Sequence, residues 1–196
     1  MSQRPRLLLH VCCAPDATVG FERLGNEYEI TAFFYNPNIH PEAEYNLRAQ
    51  EFERLCAQMG VPYVVGPYDA QRWFDLVRGL EDEPERGRRC DVCYRMRLER
   101  TAQEAAQRQF DGFAVVLTVS PHKSASKINE IGEEVAARYG VRYIPTDLKK
   151  RDGFRRSVEL SRQFGLYRQD YCGCLFSRRQ REEKRAKADT APESGR

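Results

Sequence analysis

Six of the chain's seven cysteines fall into three close pairs, Cys12/Cys13, Cys90/Cys93 and Cys172/Cys174. Thiolates are soft ligands that suit zinc and iron–sulfur clusters, and close dithiols can also cycle through a disulfide. Cys90 and Cys93 have the two-residue spacing that lets both sulfurs reach one metal or cluster, and a helix start nearby would favour their thiolate forms. Adjacent Cys12 and Cys13 diverge in extended backbone, so they fit one multi-iron cluster or two neighbouring centres better than a shared iron. In Tyr171-Cys172-Gly173-Cys174 the glycine frees the backbone to bend, which serves a shared metal or a strained, readily reduced disulfide.

Each pair also has a plainer reading: a reduced dithiol, buried cysteines at a strand end, or a turn. Three such pairs in one chain would have to arise independently, which makes the set far more specific than any member. Cys56 lies beside Leu55 and Met59 on the apolar side of an expected helix and reads as core. Zinc is the rival metal, but six thiols plus Asp16 exceed one tetrahedral site, and adjacent cysteines are not the usual zinc-ribbon spacing. Iron–sulfur chemistry is preferred.

The elements that must position these thiols alternate. Leu7-Leu8-Leu9-His10-Val11 is a short apolar run of the kind found in buried parallel strands, and Ile30 to Tyr35 is a second, stopped by Asn36-Pro37-Asn38. Helices are expected over 17–24, 41–59, 71–80, 91–109 and 127–139, with further strands at 63–65, 113–119 and 142–144. The charged stretch 81–89 reads as an exposed loop. This order predicts an α/β fold with an open, mostly parallel sheet and helices on both faces. Sites in such sheets form beyond the carboxyl ends of the strands. Cys12/Cys13 and Ser120-Pro121-His122-Lys123-Ser124 each follow a strand, so both should face one edge. Residues 1–185 are expected to form a single domain and 186–196 a polar, disordered tail.

With 41% hydrophobic and 31% charged residues the chain falls in the globular range, and its longest apolar run is too short for a signal core or a membrane span. A cytoplasmic location follows as the expectation, and thiols there stay reduced. Charge is uneven. Residues 1–144 carry 18 Lys/Arg against 21 Asp/Glu, and residues 145–196 carry 14 against 8, an asymmetry that suits a polyanionic partner as well as a solvated basic surface. No G-x-x-x-x-G-K-[ST] occurs, so ATP use is not expected.

With these motifs assembled, the chain resembles the cobalamin-independent epoxyqueuosine reductase family, the QueH type, over most of residues 6–180. The likeness rests on Leu9-His10-Val11-Cys12-Cys13-Ala14-Pro15-Asp16, on Cys90-Asp91-Val92-Cys93-Tyr94-Arg95-Met96-Arg97-Leu98, on Thr118-Val119-Ser120-Pro121-His122-Lys123, and on Tyr171-Cys172-Gly173-Cys174-Leu175-Phe176-Ser177. It implies a nucleotide-alpha-hydrolase (HUP-like) sandwich and an enzyme that removes the epoxide oxygen of epoxyqueuosine in a tRNA anticodon, giving queuosine as the last step of its biosynthesis. It further implies a [4Fe–4S] cluster on Cys12, Cys13, Cys90 and Cys93, without cobalamin. Cys172 and Cys174 would then be a redox-active dithiol or ligands of an adjacent iron, which Asp16 could join. The electron donor is not named by the likeness.

The reaction consumes two electrons and two protons. Asp16 and His122 are the candidate proton sources, and a Lewis-acidic iron could hold the oxygen. Lys123, Arg95, Arg97, Lys149, Lys150 and Arg151 are candidate phosphate contacts, joined by Arg155 and Arg156, while Tyr94 and Phe154 could stack on splayed bases. His10 is expected to be a satisfied core histidine and His40 an ordinary loop residue. Two other readings stay open, an ATP-dependent tRNA thiolase-like enzyme and a non-catalytic zinc-stabilised RNA-binding module.

Overall fold

The computed structural model describes residues 4–189. Its centre is β1 (Arg6–His10), buried from Leu7 onward. A strand covered on both faces needs no polar alternation, hence the unbroken Leu7-Leu8-Leu9. β1 pairs in parallel with β2 (Glu29–Phe34) on one side and β4 (Gly112–Val115) on the other, with Leu9 opposite both Ala32 and Ala114. β3 (Tyr63–Val65) extends the sheet beyond β2 and β5 (Arg142–Tyr143) extends it beyond β4, so the order is β3-β2-β1-β4-β5, all parallel.

Parallel neighbours require crossovers, which are helical: α1 (Ala14–Leu24), α2 (Glu42–Met59), the pair α3 (Ala70–Leu76) and α4 (Arg88–Gln107), and α5 (Ala125–Tyr139). Two helices follow the last strand, α6 (Gly153–Gln163) and α7 (Leu175–Asp189). The pleat sends Leu7 and Leu9 toward a core shared with Phe52 of α2 and Leu160 of α6. It sends Leu8 and Phe113 toward a second core containing Trp73, Met96 and Ile128. α1 approaches the sheet closely at Gly20, where a Cβ would stand 2.6 Å from Val116 Cγ1 and 3.0 Å from Leu9 Cδ2. Among the described residues no helix is long and apolar enough to cross a membrane.

After β3 the chain returns to lie on the other side of β1, so the order reverses between β1 and β4 and opens a crevice at their carboxyl ends. Several expected boundaries move. The strand expected over 113–119 ends at Val115; Val116 turns to φ −87° and ψ −1°, and Leu117–Val119 forms a 3-10 turn. Burial alone explains that apolar run, and burial does not distinguish a strand from a turn packed beneath it. α4 begins at Arg88, before Cys90 rather than after it. α6 has no counterpart in the expected elements; it buries Gly153, Ser157, Leu160 and Ser161 and turns its arginines outward. α7 continues through Asp189, past the expected start of the tail at 186, while residues 190–196 lie outside the described residues.

Candidate functional site

Three segments deliver the paired cysteines to that crevice. The first is the turn from β1 into α1. Cys13 is the helix N-cap in extended conformation, Pro15 occupies the first turn, where its missing N–H costs nothing, and Asp16 follows it. The turn is pinned by Val11 N–H donating to Phe33 O (2.8 Å) and by Asn36 Nδ2 donating to Val11 O (2.8 Å). Cys12 Sγ stands 3.8 Å from Cys13 Sγ and donates to Asp16 Oδ2 at 3.6 Å. The ligand atoms of Cys12, Cys13 and Asp16 lie within 4.8 Å of one another, a spread that one metal ion could bridge.

The second segment is the first turn of α4, which puts Cys90 and Cys93 on one side of the helix. Arg86 fastens the preceding loop to the turn after β4, its Nε donating to His122 O and its Nη2 to Pro121 O, both at 2.9 Å, while its backbone N–H donates to Cys90 Sγ at 3.3 Å. The third segment, Cys172-Gly173-Cys174, has no regular structure. It hangs from α2 and the loop before it: Arg48 donates to Tyr171 O (3.3 Å) and Cys172 O (3.2 Å), and His40 N–H donates to Gly173 O (2.8 Å). Gly173 has φ +123°, a conformation that glycine alone adopts readily.

Between these segments lie two buried cations, Lys123 and Arg97. Lys123 Nζ donates to Cys172 Sγ at 3.0 Å and stands 5.9 Å from the Tyr94 ring centre. Arg97, one turn beyond Cys93, feels the charges of Cys93, Cys172 and Cys12. Cys90 interacts electrostatically with Cys172 and Cys93, and Cys93 with Cys172 and Cys174, while Cys12 joins them through Arg97 and the cleft that it lines with Cys172. Together Cys12, Asp16, Arg97, His122, Lys123 and Cys172 help line a cleft of about 470 Å³.

Burial governs the protonation of most of these groups. It pushes the Cys90 thiol up to about 12 and raises Cys93 as well, overriding the thiolate preference expected from the helix start. Cys12 is raised by its hydrogen bond with Cys13 and by burial, and Asp16 by burial. Cys172 is the exception. Burial opposes its ionisation, yet Lys123 and Arg97 together hold its thiol below the ordinary range. The donor set therefore fits an anionic metal–thiolate group. Arg97 Nη2 is buried without an acceptor, and a buried cation is costly until an anion meets it.

Several residues lie elsewhere than the surface reading expected. Lys123 and Arg97, expected as phosphate contacts, are buried near the sulfurs at the cleft, and Tyr94 is buried beside them. Arg95 pairs with Glu134 at 2.6 Å in a separate groove between α4 and α5. Lys149 Nζ donates to Lys123 O at 2.9 Å, while Lys150 and Arg151 remain exposed. Arg155 and Arg156 pair with Glu159, and Arg156 also with Glu22. Phe154 is exposed on the cleft, as is His122. Cys56 of α2 is buried in the core. His10 is fully buried, with Nε2 3.0 Å from Tyr35 O, and burial lowers it to about 3.

His40 is no ordinary loop residue. It is buried against Trp73 and Phe74, lies 3.2 Å from Tyr68 Oη, and is lowered by burial to about 4. Arg48 was also missed. Its signal was present: it occupies a position on the stripe Tyr45, Arg48, Phe52, Leu55, where a charge on an apolar face calls for a buried partner.

The sequence profile described as "Epoxyqueuosine reductase QueH" matches residues 7–180. A Streptococcus pyogenes protein named "Epoxyqueuosine reductase QueH" is 43% identical over 182 residues, covering 90% of this chain and 71% of the relative. One of the same name from Thermotoga maritima is 38% identical over 184 residues, covering 92% and 94%. Among solved structures, the U34-tRNA thiolase NcsA from Methanococcus maripaludis with its [4Fe-4S] cluster superposes with a TM-score of 0.56 at 14% identity, covering 97% of this chain and 69% of that one. This last likeness bears on the fold alone.

Proposed function

The chain belongs to the epoxyqueuosine reductase QueH family, and from that premise we propose that its gathered cysteines hold an iron–sulfur centre serving that reduction. Its reaction is the two-electron removal of the epoxide oxygen of epoxyqueuosine to give queuosine. Cys12, Cys13, Cys90 and Cys93 are assigned to a [4Fe–4S] cluster, and Cys172 and Cys174 to the second redox element beside it. The observation that carries the assignment is the meeting of three cysteine pairs around two buried cations.

A [4Fe–4S] cluster supplies electrons one at a time. The remaining tasks belong to the chain's own side chains. Lys123 and Arg97 make the cleft wall cationic, which favours charge developing on the epoxide oxygen. Asp16 lies beside Cys12, and burial raises its carboxyl, which favours it as the internal proton source for that oxygen. His122 stands at the exposed mouth, placed to exchange protons with solvent.

The substrate in this reading is tRNA carrying the modified base. Arg181 and Lys184 of α7 line the cleft mouth, Lys150 and Arg151 are exposed, and Phe154 offers a ring at the rim. Such a surface holds phosphates and stacks one unpaired base, and its binding weakens as salt rises. The family membership favours this over the thiolase-like and zinc-module readings.

The test uses anaerobically reconstituted protein, a reductant and tRNA containing epoxyqueuosine, with nucleosides counted by mass spectrometry. The native chain is expected to be brown and to convert epoxyqueuosine to queuosine, while Cys90→Ala and Cys172→Ala are inactive. Full turnover by both variants would overturn the cysteine assignment, and a colourless zinc protein would overturn the iron.

A further inference from the structure

The described residues include three fully or nearly buried arginines, Arg48, Arg89 and Arg97. Arg48 pairs with Glu44 at 2.8 Å. Arg89 Nη1 donates to the carbonyls of Leu80 (3.2 Å), Glu81 (2.7 Å) and Glu83 (2.5 Å), and its guanidinium covers Phe176. Both hold loops together through acceptors supplied by the fold, although Arg89 Nε and Nη2 are themselves buried without an acceptor. Arg97 differs. Its guanidinium donates to Cys93 O at 3.2 Å, a turn back on the same helix, and its Nη2 has no acceptor. Among the described residues no carboxylate comes within ion-pair distance of it.

An arginine does not shed its proton, so this charge persists whatever surrounds it. An unpaired buried charge costs several kcal/mol; Arg97 interacts electrostatically with the sulfurs of Cys93, Cys172 and Cys12 and with its fellow cation Lys123, and the Tyr94 ring is 5.8 Å away. Those three sulfurs come from the three separate cysteine segments. A cation that interacts electrostatically with all of them and has no carboxylate partner is placed to meet ionised sulfur ligands.

We propose that Arg97 is the internal counter-charge of the sulfur centre, a positioning residue that steadies its thiolates and sets how readily it accepts an electron. The inference rests on the iron–sulfur reading given above. In the step concerned, a low-potential one-electron donor is oxidised and the centre is reduced by one electron, with no covalent bond made or broken. The added negative charge is stabilised by a fixed cation beside it, so the cation favours the reduced form.

Native chain, Arg97→Met and Arg97→Lys are reconstituted anaerobically with ferrous iron and sulfide. Iron and sulfide are counted, and the midpoint potential is read in a dye-mediated optical titration. Removing the charge in Arg97→Met is expected to disfavour reduction about tenfold or more, a shift of about 59 mV to more negative potential for a one-electron couple. Arg97→Lys, which keeps the charge, is expected to shift less than half as far. A native chain that takes up no iron or sulfide sinks the iron–sulfur reading and this inference together. A loaded native chain whose potential is matched by Arg97→Met sinks the inference alone. Should Arg97→Met fail to retain the centre, Arg97→Lys decides: loaded near the native potential, it supports a counter-charge; empty or equally displaced, it overturns one.

Discussion

The two halves of the cysteine site are held in different ways. Cys12, Cys13, Cys90 and Cys93 sit on a strand end and on two helix starts, elements locked by apolar packing on both faces of the sheet. Cys172 and Cys174 sit on an irregular arm held by backbone carbonyls accepting from Arg48 and His40, with Glu44 joining Arg48 to Tyr167 Oη. Packing is stiff and nondirectional, whereas a few charged hydrogen bonds fix a segment sharply but can be cut singly. One half of the centre is thus built by the core and the other by a clamp.

The largest test cuts the clamp. Arg48→Ala leaves Glu44 without its ion-pair partner, though still bonded to Tyr167, and two carbonyls without their Arg48 donor, and should cost roughly 3–5 kcal/mol in urea unfolding, the penalty for breaking a buried pair. Hydrogen exchange should rise at 171–174 and stay low in β1. Equal loosening of both would erase the contrast.

A smaller perturbation strikes the packed half. Gly20→Ala sets a methyl against Val116 and Leu9 and should destabilise by about 1–3 kcal/mol, while protection at 171–174 is kept. A neutral result would mean that α1 has slack beside the sheet.

The smallest effect comes from acid. His10 in β1 and His40 beside the arm are held near 3 and 4, below the 6.5 of an unfolded chain. Between pH 6.5 and 4 the unfolded state therefore binds protons that the folded state refuses, and stability falls as pH falls. From pH 7 to 6 the loss for His10 should be below about 1 kcal/mol. His10→Gln should flatten the slope from the packed half and His40→Gln from the clamp; unchanged slopes in both would refute their neutral burial.

Much of the scaffold was legible because its signals are local. Leu7-Leu8-Leu9 and the apolar run after Gly112 each mark a buried strand, and the spacing of Tyr45, Phe52 and Leu55 marks α2. The amphipathic pattern of α6 was present, set by arginines on its outer face against Gly153, Ser157, Leu160 and Ser161 inside, but those arginines were read as a basic cluster rather than as the polar side of a helix. Lys123 and Arg97 stood out as charges and were named as site residues, but a charge in a sequence does not reveal whether water surrounds it, so their burial was not legible.

By itself the sequence determined which thiols exist, how closely each pair is tied along the backbone, and the strand–helix alternation that aims strand ends at one edge. Only the tertiary structure decided which distant groups share that edge and what charge they meet there. Burial and Coulomb interaction depend on distance in space, and the parallel crossovers that bring Cys12, Cys93, Lys123 and Cys172 together are made by the whole sheet rather than by any segment of it.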